Sequence, residues 1–152
     1  MPSVQTNYFS AISYDLDATL EFPRGLPGFE ERRLFVALRF EDSQPLIFLQ
    51  SLEDPGLCFI TLPVLAVDPR YRLGISNEDR ELVGLPLARP LTIGGDVLCL
   101  AVLSIRETGP TANLLAPVVV NLSNHKAVQA VDTESGYSHQ HVLVPEEAPV
   151  CS

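Results

Sequence analysis

Polar and apolar residues alternate strictly over Asp15-Leu16-Asp17-Ala18-Thr19-Leu20-Glu21-Phe22, with Leu16, Ala18, Leu20 and Phe22 on one side. A period of two is that of a half-buried strand. Three further apolar runs follow, 34–40 (LFVALRF), 46–52 (LIFLQSL) and 57–64 (LCFITLPV), spaced from one another by about 11 residues. They are separated by Glu-Asp-Ser-Gln-Pro and Glu-Asp-Pro-Gly, which are turn sequences, so the pattern predicts a meander. After Gly94-Gly95-Asp96, the run 97–105 (VLCLAVLSI) is apolar at both parities. It is expected to be a central strand covered on each side. APVVVNL, KAVQAV and HVLV close the series, the last two as late or edge strands.

One helix interrupts the strands. Ser76 and Asp79 have capping-box spacing, Glu78 and Asp79 put negative charge in the first turn, and Gly84 with Pro86 supplies the stop. This predicts a short helix over 77–83. Thirteen prolines and nine glycines cut the chain into short pieces, which argues against long helices. The expected fold is mainly β: a small antiparallel, β-barrel-like single domain over 1–152 with one short helix. Its core is expected over about 16–145, with the first ten and last eight residues loose.

Composition narrows the function. At 46% hydrophobic and 19% charged, the chain is outside the range of intrinsic disorder. Nineteen acidic against ten basic residues give a formal charge of -9, which disfavours direct nucleic-acid binding and favours a basic protein partner. Neither a signal sequence nor an apolar run of membrane-spanning length is recognisable, which predicts a cytoplasmic protein without membrane contact. Cys58, Cys99 and Cys151 form no CxxC pair; Cys58 and Cys99 read as small core residues and Cys151 as a free tail thiol.

Candidate chemistry is sparse. His139 and His141 would share one face of a strand and, with His125, suggest a three-histidine metal site, but no carboxylate stands at ligand spacing, and a solvated strand end is the better account. The carboxylates of the two acidic turns sit beside proline, where turn chemistry explains them. No phosphate-binding glycine loop and no nucleophile motif is present, so no enzyme activity, cofactor or metal is expected. Asn113 and Asn121 bracket the apolar segment Ala116 to Val120. They read either as braces bonding loop backbone or as amides offered to a peptide partner at a sheet edge.

Four segments, taken in order, resemble the FliW family of bacterial flagellar assembly factors: EFPRGLPGFEERRLF (21–35), PLIFLQSLEDPGLCFITLPV (45–64), DPRYRLGISNEDRELVGL (68–85) and TANLLAPVVVNLSNHKAVQAV (111–131). The resemblance spans about residues 16–145. It implies a non-enzymatic cytoplasmic protein that binds the translational regulator CsrA, relieving its repression of flagellin translation, and that also binds flagellin in a chaperone-like way. Under that resemblance the candidate contacts for CsrA are Glu78 and Asp79 on the helix and Glu53 and Asp54 in the acidic turn. Tyr71, Asn113 and Asn121 are further partner-binding candidates from the family motifs. Two alternatives stand beside it: a flagellin chaperone without CsrA binding, and a small β-barrel ligand carrier or enzyme.

Overall fold

The computed structural model of the chain describes residues 2–143. The alternating and apolar runs become an antiparallel meander of β3 (Thr19–Glu21), β4 (Leu34–Leu38), β5 (Ile47–Ser51), β6 (Cys58–Pro63) and β7 (Val97–Arg106). Beyond β7 lie β9 (Val118–Asn121) and β10 (Ala127–Gln129). The two ends of this curled sheet meet at one bridge between Glu21 and Lys126, where the Glu21 amide donates to the His125 carbonyl at 3.0 Å. The sheet is therefore barrel-like but does not close.

Besides β6, β7 is long enough to serve two further partners. Its first half pairs with β9, and its second half pairs with β8 (Gly109–Ala112), which in turn carries the two-residue strand β11 (His141–Val142). Side-chain alternation along β7 and β9 then feeds two cores. Leu100, Val118 and Val120 point into the barrel with Leu20, Phe22, Phe35 and Leu49. Val97, Cys99, Ala101 and Val119 face the other way. That outer face is covered by the one-turn helix α1 (Val64–Val67) through Val64, by α2 (Asn77–Val83) through Val83, and by Tyr71 and Leu85. The expectation that β7 is covered on both sides holds for its first half; Ser104, Ile105 and Arg106 are exposed.

Helix α2 occupies the predicted residues. Ser76 Oγ accepts from the Asp79 amide at 3.1 Å, and Gly84 takes the left-handed conformation at φ 79° that a side chain would strain.

Four expectations need correction. Leu16 to Ala18 form a single 3-10 turn, not strand, and Leu16 is 67% exposed. The Asp15 carboxylate takes the Asp17 amide at 3.1 Å, so a local side-chain cap displaces the ladder that the alternation predicted. Of the first ten residues, expected to be loose, 2–10 are not: β1 (Ser3–Thr6) pairs with β2 (Ser10–Ser13), and Phe9 anchors the hairpin with its ring 5.0 Å from Phe40 and 5.2 Å from Phe48. Val64 leaves the strand after Pro63 and opens α1, a second helical turn beyond the one expected. Cys58 is only partly buried, whereas Cys99 is a core residue; burial pushes the two thiols up to about 11 and about 12. Cys151 and the last eight residues lie outside the described residues.

Candidate functional site: two acidic elements and the loop that joins them

The acidic turn after β5 is built by buried polar side chains. Ser51 Oγ accepts from the amides of Glu53 and Asp54 at 3.0 and 2.9 Å. Fully buried Gln50 donates from Nε2 to the carbonyls of Ser51, Asp54 and Pro55 at 3.1 to 3.3 Å. From the other side the Asn7 amide donates to the Pro55 carbonyl at 2.9 Å, which docks the N-terminal hairpin on the turn. The carboxylates are partly committed: Glu53 Oε1 accepts from the Arg33 and Leu34 amides at 2.8 and 3.3 Å, and Asp54 Oδ1 from the Gly56 amide at 3.0 Å. Asp54 Oδ2 lies 3.7 Å from Arg32 Nε. Turn chemistry thus accounts for one oxygen of Asp54, whereas Glu53 Oε1 is engaged by the entry to β4, about 20 residues away in the chain.

The second acidic element is the first turn of α2. Glu78 projects with its side chain 81% exposed, while that of Asp79 is 14% exposed. Arg24 places its guanidinium across both, 3.3 Å from Glu78 Oε2 and 3.3 Å from Asp79 Oδ1. Arg24 and Arg32 belong to the same connection, residues 22–33 between β3 and β4. A tight turn closed by the Gly25 amide on the Phe22 carbonyl at 2.9 Å fixes where Arg24 points. Gly25 sits at φ 67°, and a Cβ there would lie 2.6 Å from the Glu30 backbone. Farther along, the Gly28 amide donates to Glu30 Oε2 at 3.0 Å and holds that carboxyl below its ordinary value. Phe29, Glu30, Glu31, Arg32 and Asp54 line a depression of about 380 Å³.

Tyr71, Asn113 and Asn121 lie deeper. Tyr71 is 8% exposed, donates its hydroxyl to the Leu114 carbonyl at 3.0 Å and stacks on Tyr137 at 4.5 Å. Burial raises its phenol above the ordinary value. Asn113 Oδ1 accepts from the Ala116 amide at 2.9 Å, closing the turn that leads into Pro117. Asn121, 3% exposed, donates from Nδ2 to the Val83 carbonyl at 2.8 Å and accepts from the Ser123 amide and hydroxyl at 2.9 and 3.0 Å. Both asparagines therefore make the backbone bonds of the brace reading.

The structure gathers the candidates into neighbouring groups rather than one cleft. Glu53 and Asp54 meet one end of the β3–β4 loop, Glu78 and Asp79 meet its beginning, and Asn121 holds the far end of α2. The arginines were not singled out from sequence, because their partners are 22 to 55 residues away; the signal was the charge run in EFPRGLPGFEERR. Also missed was the Arg89 fork on Asp96, at 2.9 and 3.0 Å. Those bonds, with one from the Thr92 amide, hold the Asp96 carboxyl down to about 2. Among the described residues no group of three or more His, Cys, Asp or Glu side chains is placed to hold a metal ion, and no helix is long and apolar enough to cross a membrane.

This fold and sequence have close counterparts. The family model described as FliW protein matches residues 3–143. The chain is 32% identical over 146 residues to the flagellar assembly factor FliW of Geobacillus sp. (strain WCH70), covering 95% of this chain and 96% of that one. It is 37% identical over 135 residues to that of Pseudothermotoga lettingae, covering 84% and 79%. A crystal structure of the flagellar assembly factor FliW superimposes with a TM-score of 0.81 at 29% identity, over 96% of this chain and 99% of the other. With the meander, the capped acidic helix and the bracketed valine strand all inside the matched span, the chain belongs to the FliW family of flagellar assembly factors.

Proposed function

We propose that this protein is a non-enzymatic cytoplasmic regulator, acting as one domain, that binds CsrA and relieves its repression of flagellin translation, and that binds flagellin as a competing partner. The observation that carries the reading is family membership across 3–143. Linkage does the rest: each partner that occupies the protein lowers the concentration free for the other, so unsecreted flagellin returns CsrA to the messenger.

The surface suits the role. A formal charge of -9 speeds encounter with a basic partner, and carboxylates that already pair with arginine in cis are chemically matched to guanidinium groups from another protein. Glu78, Asp79, Glu53 and Asp54 are the proposed CsrA contacts. Tyr71, Asn113 and Asn121 support the partner-binding surface from beneath by fixing its loops.

Calorimetric titration with CsrA from the same organism at two salt concentrations tests the reading. Binding that weakens with salt, and is displaced by flagellin, is expected. Absence of binding would overturn the CsrA role and leave a flagellin chaperone.

A further inference from the structure

The seam of the barrel is closed at one end only. Among the described residues Glu21 and Lys126 make the single bridge between the two ends of the sheet, and past it β3 gives way to the loop 22–33. β10 continues without that neighbour. Its inward bonds recur at every second residue: the Lys126 carbonyl accepts from Asn121 at 2.8 Å, the Ala130 amide donates to Pro117 at 2.9 Å, and the Asp132 amide to Leu115 at 3.4 Å. All three keep the register in which Ala127, Val128 and Gln129 lie opposite Val120, Val119 and Val118. In an antiparallel ladder the residues between such bonds turn their N–H and C=O to the other side. Gln129 and Val131 therefore present both backbone groups outward, and no backbone group among the described residues meets them.

The strip 127–131 reads Ala-Val-Gln-Ala-Val and carries no charge, although 19% of the chain is charged. Open edges are ordinarily protected by a charged side chain or a proline, and neither interrupts this one. Val131, β-branched and 53% exposed, ends it. Alongside, Arg24, Gly25, Pro27 and Glu30 face Val128 and Gln129 across a depression of about 240 Å³, which leaves room for the side chains of an added strand. The charges of that wall are already engaged: Arg24 by Glu78 and Asp79, Glu30 by the Gly28 amide.

We infer that the outer edge of 127–131 is a docking site for an extended, uncharged segment of another protein, which adds as a strand along the open seam. The backbone groups fix what the occupant is: an extended chain offers N–H and C=O at the two-residue period that Gln129 and Val131 set. The lack of charge selects apolar and small polar side chains, since an ion placed there loses water without gaining a partner. A second copy of this chain fits less well, because a formal charge of -9 on each repels the pair and the strip supplies no counter-charge. The site is built from backbone rather than from the four carboxylates proposed to meet CsrA, so it stands whether or not CsrA binds.

The test uses the full chain and the peptide acetyl-TVTVTVT-amide, with hydrogen exchange read at the amides of Gln129 and Val131. Val128 and Ala130, whose amides face β9 and its approach, are the internal references. At saturating peptide, exchange at Gln129 and Val131 is expected to slow by about fivefold or more, with the references unchanged. The same peptide N-methylated at its three central residues should have no effect. Val131→Pro removes an outward N–H that the ladder does not use, and Val131→Lys puts a charge on the edge; each should weaken the peptide by about fivefold or more, and Val131→Ala by less. Should either variant fail to fold, the comparison of the two peptides on the wild type decides alone. No slowing, slowing by the N-methylated peptide as well, or wild-type affinity in a folded V131P or V131K would overturn the inference. Slowing that grows with protein concentration in the absence of peptide would identify a second copy as the occupant and overturn it too. Neither CsrA nor flagellin is in the assay: CsrA binding with a silent edge would sink this inference alone, and edge protection without CsrA binding the proposed function alone.

Discussion

The side-chain amide of Asn121, at the end of β9, donates at 2.8 Å to the carbonyl of Val83, the last residue of α2. A helix end leaves its final carbonyls without intrahelical partners, and this one is met by a buried side chain 38 residues away. Asn124 donates to the same oxygen at 3.0 Å. Strand and helix are thereby fixed to one another at a single atom.

Asn121→Ala leaves the Val83 carbonyl with one donor and strips the Ser123 amide of its acceptor. A loss of about 1 to 3 kcal/mol in urea unfolding is expected. Asn124→Ala should cost less, because Asn121 stays in place; a larger loss for Asn124→Ala than for Asn121→Ala would contradict the assignment.

Ser76 carries the start of the same helix. Ser76→Ala removes the acceptor for the Asp79 amide and should cost about 1 kcal/mol, with faster hydrogen exchange confined to the first turn of α2. Ser76→Asp should restore most of it, since a carboxylate caps equally well and favours the helix N-terminus.

Asp96 gives the protein an acid limit. Its folded value of about 2 lies below the ordinary value of roughly 3.9, so its contribution is complete above about pH 4 and is lost as the pH falls through about 2. The difference in melting temperature between the wild type and Asp96→Asn should therefore be largest at neutral pH and shrink between about pH 4 and about pH 2. A difference independent of pH would remove the ion pair as its cause.

Phe9 is the anchor of the N-terminal hairpin. Phe9→Ala should release β1 and β2, with loss of amide protection at Val4 and Ile12, and cost roughly 1 to 2 kcal/mol because the ring is only partly buried. Unchanged exchange at those two amides would show that the hairpin is held by other contacts.

What the sequence made legible was local. Helix α2 was placed to the residue because its cap, its acidic first turn and its glycine stop lie within ten residues of each other. The meander was legible because its turns and apolar runs alternate on a short repeat. The hairpin at the N-terminus was not, since Phe9 finds its support at Phe40 and Phe48, which no periodicity in the first ten residues announces. β8 was missed for a related reason: Gly109-Pro110-Thr111-Ala112 has no apolar run and becomes a strand because β7 extends past β9 and leaves an edge to pair. At the candidate site the carboxylates stood out by their charge, but the arginines that cover them are brought in by the fold.

The three consecutive valines of β9 raise a problem of register. In a strand with one wet face, a slip of one residue is punished because it drives apolar side chains into water. Val118 and Val120 face one core and Val119 the other, so a slipped β9 would still place valine against oil on both sides. Hydrophobicity cannot align such a strand. The polar groups at its margins can: Gln129 Nε2 reaches the Ala116 carbonyl at 2.9 Å, and Asn121 is bonded to Val83 at the other end. The two asparagines and the glutamine act as the gauge marks of a strand that has no other way to measure its position.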